Sequence, residues 1–510
     1  MKKIIRPITA LAFAIILVAA NFTVVFSSIP YQGYTYNFWA TLVPAPAAYV
    51  PVRSFSLSDL RCGEDCGLHG GERCTLEAHV NLGDMNDPTD MHVDSEGSIY
   101  IVDWGNNRII VFDIYLNLIR VIDGYYRDGE WVDNVFNQPH GVFVTDSGQI
   151  FVADNRNHRV AVLQIVDDRV EFVWEIRSPE VEGVADDFQF LPQHVLVDRG
   201  GRIFVIVQRV FEGIMSFNAQ GEFIGYFGTV DVSFSWIDMF WHIAMGDRGG
   251  RVTFVPREFN SMDMDGYGFV FTTHVENWHL NNQIMRLNPR GEDVLVNFND
   301  NVVINGDQGW RETGPMAGPS IFTDIVARSH GRYSALCMVR RRVYTYDSEG
   351  NLLYVFAGTG GLQGMTRRPV SIVTIGEDFL ILDAEGRGRV VHFEPTEYGR
   401  LINTAIALRY DGFERYAVDY WRKVVALDEN FSLAWSGIGR SYLAQGYNAR
   451  AMEYLERGMD VRHFSVAFRR NRLDVMQGTL PNILTAGTVL FVLFLVIKVV
   501  RFIKGKGMTE

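Results

Sequence analysis

Between Asn86 and Phe393 the chain falls into short apolar runs, such as Ile99–Val102, Ile109–Phe112 and Ile150–Ala153, separated by turns rich in Gly, Asp and Asn. Apolar runs of this length bounded by turn residues predict buried strands. The runs recur in register. One unit opens at Asn86-Asp87-Pro88-Thr89-Asp90, turns at Gly97 and passes through Asp103 to Arg108. A second opens at Asn137-Gln138-Pro139-His140, turns at Gly148 and passes through Asp154 to Arg159. Pro88/Pro139, Asp103/Asp154 and Arg108/Arg159 therefore each lie 51 residues apart. Every unit reads as strand, Gly turn, strand, polar turn, strand. Pro suits the opening of an inner strand, where its missing N–H breaks no ladder. An Asp–Arg pair bracketing the second turn is placed to lock that hairpin by charge-assisted hydrogen bonds.

Weaker copies follow. Leu191-Pro192-Gln193-His194 opens a third, with Gly201 in the turn and Ile203–Val207 as a strand. Tyr267–Thr273 and Ile284–Leu287 form a fourth that has lost the Pro signature. Phe322-Thr323-Asp324 through Val343–Asp347 forms a fifth, and Arg368-Pro369-Val370 through Phe379–Asp383 and Arg389–Phe393 a sixth. Small sheets of this kind cover their faces only against neighbouring sheets, which predicts a closed ring of blades. Six blades are counted; a seventh arises if residues 46–84 supply a blade instead of one closing strand.

Beyond the ring the period becomes helical. Trp435, Ile438, Gly439, Tyr442, Ala451 and Leu455 recur at helix spacing, and subtracting 34 returns apolar or small residues at Leu401, Ala405, Leu408, Ala417 and Trp421. The period and pattern resemble two tetratricopeptide repeats at about 398–431 and 432–465. At the ends, Lys2, Lys3 and Arg6 precede an apolar stretch from Ile8 to Phe26. Nineteen helical residues span ~28 Å, close to a bilayer core. This segment reads as an uncleaved anchor or as a cleaved signal, Ser27 and Ser28 making a weak cleavage site. Residues 483–497 are almost wholly apolar, and Lys498, Arg501, Lys504 and Lys506 follow. That predicts a second span over 480–503 with Lys498 snorkelling to the interface. Basic flanks at both ends place both termini in the cytoplasm and the bulk of the chain outside it.

The hexads Asp103-Trp104-Gly105-Asn106-Asn107-Arg108 and Asp154-Asn155-Arg156-Asn157-His158-Arg159 resemble the NHL-repeat family, a likeness that covers roughly 85–395. The resemblance implies a six-bladed propeller serving as an interaction platform. Composition adds little that contradicts this. The net charge of −13 disfavours a nucleic-acid partner, because phosphate contacts require a basic face. The abundant Gly and aromatic residues suit many short strands joined by tight turns.

Candidate chemistry is confined to two places. Relatives of the NHL family that act as amidating lyases hold zinc with histidines directly after the strand-opening Pro. Here His140 follows Pro139 in register, but Thr89, Gln193 and Val370 take the equivalent places and His194 stands one residue late. Lactonase-type propellers converge carboxylates on calcium; Asp90 and Asp324 are placed to enter the channel, without a full ligand set. Cys62, Cys66, His69 and Cys74 fall within thirteen residues. They read either as a disulfide plus a free thiol or as a zinc knuckle. Cys337 lies in an apolar strand and reads as core; Trp236, Phe240, Trp241 and His242 read as core before sugar-stacking residues; Arg340-Arg341-Arg342 reads as a hairpin turn.

The expected architecture is thus mainly β. It comprises an N-terminal anchor or signal at 1–28, a linker with the cysteines and a closing strand at 29–84, a six-bladed propeller at 85–396, two tetratricopeptide-like repeats at 397–466, a transmembrane helix at 480–503 and a basic tail at 504–510. The expected function is binding or scaffolding at the outer side of a membrane, toward a protein or polysaccharide partner at the propeller face, with no required cofactor. Such an arrangement resembles bacterial surface or transporter-associated proteins. The alternative is a zinc- or calcium-dependent lyase or lactonase working in the propeller channel.

Overall fold

The computed structural model describes residues 29–39, 41–57, 83–179, 188–228, 258–275, 283–295, 306–307, 314 and 317–506. The repeating units fold as antiparallel sheets built outward from an inner strand. Blade one comprises Asp90–Val93, Ile99–Asp103, Arg108–Phe112 and Leu118–Ile122, hydrogen-bonded in that order. Blade two (Pro139–Val144 to Arg169–Arg177) carries an additional hairpin, Tyr125–Arg127 and Glu130–Val132, on its outer edge. Blades three and five have four strands each, starting at Pro192 and Phe322, and blade four shows three described strands starting at Glu258. The innermost strands touch in the cycle one to six and back to one, so the ring is closed.

Closure uses the segment whose role the sequence left open. Tyr49–Phe55 pairs antiparallel with Arg389–Pro395 and completes blade six as its fourth strand. The count is therefore six. Blade four departs most from the sequence reading. Its second strand begins at Val270 and not Tyr267, because Asp265 binds the amides of Tyr267 and Phe269 and closes a turn there. Its inner strand, Glu258–Met264, carries no Pro and passed unseen.

The Asp–Arg lock is present and does more than bracket a turn. Asp154 accepts from Arg159 Nε at 2.8 Å, from Asn157 at 2.8 Å and from the amide of Asn137 at 2.9 Å, tying three chain segments together. Asp103 does the same with Arg108, Asn106 and the amide of Asn86, and Asp383 with Arg389 and the amide of Arg368. In blade five Cys337 stands where the Asp would be, opposite Arg342. Its Sγ accepts from the Arg340 amide at 3.3 Å, while Arg342 stacks on Tyr34 and Arg340 pairs with Asp307. The triple-Arg run is thereby consumed by a turn, and Cys337 is fully buried.

Pro395 ends the last strand and Thr396 caps helix α1 (Glu397–Tyr410), accepting from Gly399 N and donating to Ala47 O. Helices α2 (Glu414–Leu427), α3 (Ser432–Ala444) and α4 (Asn448–Arg457) follow through turns of three or four residues, each packing on the next. Fully buried Trp421 lies against Gly437, and Leu455 against Gly439; a Cβ on either glycine would come within about 2.5 Å of its neighbour. One hydrophobic cluster runs from blades five and six into all of these helices, so ring and helices share a core. Helix α5 (Val461–Lys506) is continuous through Pro481. It is long and apolar enough to cross a membrane. Residues 1–28 lie outside the described part.

The lock sets a stability test. Burial outweighs the Arg159 charge at Asp154 and raises its proton affinity, so the pair bears a desolvation cost that only both partners together offset. Asp154→Ala is expected to destabilise the full chain by about 3–5 kcal/mol, measured by denaturant unfolding in detergent. Adding Arg159→Met should recover part of that loss, since the buried guanidinium, left with only the partly exposed Glu175 as an ion-pair partner, is then removed.

Candidate functional site

In five of the six blades the inner strand begins with a bulge, at Pro139/Gly141, Pro192/His194, Phe259/Ser261, Phe322/Asp324 and Pro369/Ser371. A bulge re-aims the side chain that follows it. The post-bulge residues Gly141, His194, Ser261, Asp324 and Ser371, joined by Asp90 of blade one, form one level of the central channel. Gly141 is required there: a Cβ would meet Gln193 O at 2.3 Å.

Asp324 is saturated with donors. Ser261 Oγ and Ile325 N (2.9 Å) bind Oδ1, while Ser371 Oγ (2.8 Å) and Ile372 N (2.7 Å) bind Oδ2. Asp90 receives Val142 N at 3.1 Å and faces Ser371 Oγ at 3.3 Å and His194 Nδ1 at 3.7 Å. Ser371 has one proton, and its geometry favours Asp324. The Ser371 contact to Asp90 is therefore a hydrogen bond only when Asp90 is itself protonated. Burial acts in the same direction, pushing the Asp90 carboxyl up to about 7, and burial together with the Asp90 charge raises Asp324.

One step further along the strands stand His92 and Asp263. Asp263 binds the amides of Met264 and Ala327, both at 2.8 Å, and burial pushes it up to about 7. His92 Nε2 lies 3.3 Å from Val144 O, and His140 Nδ1 lies 3.2 Å from Gln193 O. Burial pushes these imidazoles down, to about 4 and about 3, and lowers His194 as well. The rings of His140 and His194 meet edge to face at 5.7 Å.

Of the four channel residues expected from the sequence, Asp90, His194 and Asp324 border the central space, and His140 packs edge to face on His194. His92, Ser261, Asp263 and Ser371 were missed. His92 was within reach by counting two residues on from Asp90, whereas Asp263 belongs to an inner strand, Glu258–Met264, that the sequence reading did not recognise. No three of the channel imidazoles and carboxylates converge on one point among the described residues. The space that they enclose is about 160 Å³, below the ~300–1,000 Å³ of a typical small-molecule site. Cys62, Cys66, His69 and Cys74, and likewise Trp236, Phe240, Trp241 and His242, lie outside the described residues.

The larger concavity, about 640 Å³, lies between blade five and the helices. Its floor is charged and internally paired: Arg440 binds Glu349 (3.2 Å) and Asp460 (2.9 Å), and Asp460 binds His463 (2.9 Å). Its walls include Tyr36, Leu352 and Leu433, and at the rim Phe38, Met459 and Val461 are well exposed.

Residues 136–163 match the NHL repeat. The comparison with curated proteins finds no match. Among solved structures the chain is similar to a streptogramin B lyase, with 11% identity over 60% of this chain and 78% of that one and a TM-score of 0.36. It is also similar to virginiamycin B lyase from Staphylococcus aureus, with 10% identity over 60% and 94% and a TM-score of 0.37. A third is hydrazine synthase from Kuenenia stuttgartiensis, with 13% identity over 61% and 96% and a TM-score of 0.38. The chain is a six-bladed β-propeller with a C-terminal helical region, and one stretch of its second blade matches the NHL repeat.

The buried acids and histidines oppose each other in pH. A carboxyl raised from the usual range to about 7 contributes stability that is complete below about pH 4 and lost as pH rises through 7. The lowered histidines contribute stability lost as pH falls from about 6.5. Asp263→Asn isolates one member: its penalty relative to the parent should shrink by about 2–3 kcal/mol between pH 5 and pH 8, followed by thermal unfolding. A penalty independent of pH would mean that Asp263 is ionised throughout.

Proposed function

We propose that this protein is a membrane-tethered binding platform whose recognition surface is the cleft between blade five and the helices. The propeller fold supports an interaction role in general terms. What favours the cleft over the channel is the contrast in size: about 640 Å³ with exposed apolar rims against about 160 Å³ whose acids are tied to neighbouring blades. The channel acids spend their acceptor capacity on the amides and hydroxyls of neighbouring blades, a use suited to holding a ring together. The cleft walls leave Phe38, Met459 and Val461 to solvent, which suits an extended protein segment bringing apolar side chains.

In this reading α1 to α4 act as two tetratricopeptide-like repeats attached to the propeller, and the apolar part of α5 anchors the assembly. The N-terminal apolar segment supplies a second anchor, leaving the propeller on the outer side. A protein partner is favoured over a polysaccharide because the aromatic rim is flanked by aliphatic groups and its charges are already paired.

Photo-crosslinking residues placed at Phe38 and Leu433 in intact membranes should capture a protein partner, and one at Thr374 in the channel should not. Phe38→Glu should weaken capture at least roughly tenfold without shifting the unfolding temperature. Crosslinking from Thr374 alone would move the function into the channel.

A further inference from the structure

A second kind of site stands at the foot of blade six, away from both channel and cleft. Asp378 opens the second strand (Asp378–Asp383), and the third strand (Arg389–Pro395) carries His392 and Glu394. The register pairs Phe379 with Phe393 and Leu380 with His392, so Asp378 faces Glu394 across the ladder with His392 one diagonal step away. Residues two apart on a strand share a face. His392 Nε2 lies 2.9 Å from Asp378 Oδ2, and one donor atom from each of the three residues falls within 4.8 Å of the others.

We infer that Asp378, His392 and Glu394 form a binding site for a divalent transition cation of the zinc class. One imidazole and two carboxylates are borderline donors suited to such an ion. Calcium would require six to eight oxygens, more than the two carboxylates supply. Ligand bonds of about 2.0–2.2 Å bring donor atoms to within ~3.3–4.3 Å of each other, so side-chain rotation alone, on two strands already hydrogen-bonded, closes the site. The ion would replace the hydrogen that His392 and Asp378 now share. All three side chains are half-buried, leaving water to complete the coordination. Arg53 is the cross-strand neighbour of His392, but its guanidinium lies over the Phe55 ring at 5.5 Å and forms no ion pair with the three donors among the described residues.

The position gives the ion a consequence. The third strand is the one to which the closing strand Tyr49–Phe55 is paired, and it runs directly into the Thr396 cap of α1. A bound cation would clamp the second strand to the third, the one that carries both ring closure and helix attachment. This inference does not depend on the partner reading above.

The test uses the full chain in detergent, stripped of metal, with Cys62, Cys66 and Cys74 changed to Ser so that no thiolate competes. Titrated Co²⁺ should bind at one equivalent and develop visible d–d absorption, and Zn²⁺ should displace it and raise the unfolding temperature. His392→Ala should weaken binding by at least about tenfold, the loss seen on disturbing even an outer partner of a metal ligand. Asp378→Asn and Glu394→Gln, which keep side-chain shape, should do the same and decide the matter if His392→Ala does not fold. Absence of saturable binding, equal affinity in parent and variants, or preference for Ca²⁺ would each overturn the assignment.

Discussion

The hydrogen-bonded pairing of Tyr49–Phe55 with the last strand of blade six is the constraint on which the remaining architecture hangs. A propeller blade buries its faces only between neighbours, so an open ring would expose two apolar sheets. The chain meets that constraint by bringing a strand from before blade one to the outer edge of blade six. Tyr49, where this strand starts, is fully buried, stacks on Phe356 at 4.7 Å and donates to Glu377 O at 3.0 Å. Its hydroxyl also receives Arg328 (3.2 Å) and Asn403 of α1 (3.1 Å). Glu377 in turn holds Arg328, Arg332 and Asn403. The two Arg charges hold its carboxyl below the usual range despite its partial burial. Closing the ring and fixing the helices are therefore one event at one residue.

The channel follows from the same geometry. Six inner strands meet on an axis too narrow for six large side chains, and the bulges set what enters it. Three carboxylates and three imidazoles there would be costly if all were charged. The structure lowers that cost in two ways, by keeping the imidazoles neutral and by letting neighbouring blades donate amides and hydroxyls to the acids. Each such bond crosses from one blade to another, as Val142 to Asp90 and Ile372 to Asp324 do. The polar axis is thus a set of inter-blade ties, in the same sense that the apolar clusters between blade faces are.

How much of this was legible depends on whether the signal was local. The 51-residue period, the Gly turns and the Asp–Arg pairs are properties of single hairpins, and they appear in the sequence and in the fold alike. The helical spacing after the ring was legible for the same reason, since Trp421 against Gly437 and Leu455 against Gly439 are neighbouring-helix contacts written as large and small residues. Asp90, His140, His194 and Asp324 were readable because each stands at a counted distance from a strand opening. Asp263 and Ser261 were not, because the fourth unit was read only from Tyr267 onward and its inner strand, Glu258–Met264, was not recognised. The cleft was invisible. Its lining joins Leu352, Leu433 and Val461 from blade five and the helices with Tyr36 from some three hundred residues earlier, a meeting that no local pattern announces. His392 and Asp378 were passed over for a different reason: neither falls in a motif, and their meeting depends on strand register.

Continuity of α5 with the body has a geometric outcome that the individual parts lack. The helix starts at Val461, on the wall of the cleft, and its apolar stretch begins near Leu480. Seventeen residues separate His463 from Leu480, which in a straight helix is ~26 Å. With the stretch from Leu480 to Val500 in a bilayer, as proposed, its 21 residues cover ~32 Å, matching a hydrocarbon core. The cleft would then stand a fixed ~26 Å from the hydrocarbon boundary, held there by a helix and not by a flexible linker. Between them lie Arg469, Arg470 and Arg472, exposed on the helix and at headgroup height or just above it. A soluble protein would meet the cleft at any orientation, but a partner rooted in the same membrane would meet it at one. On the proposed reading, a helical stalk of that length would set the height above the bilayer at which the apolar-rimmed groove meets a partner segment.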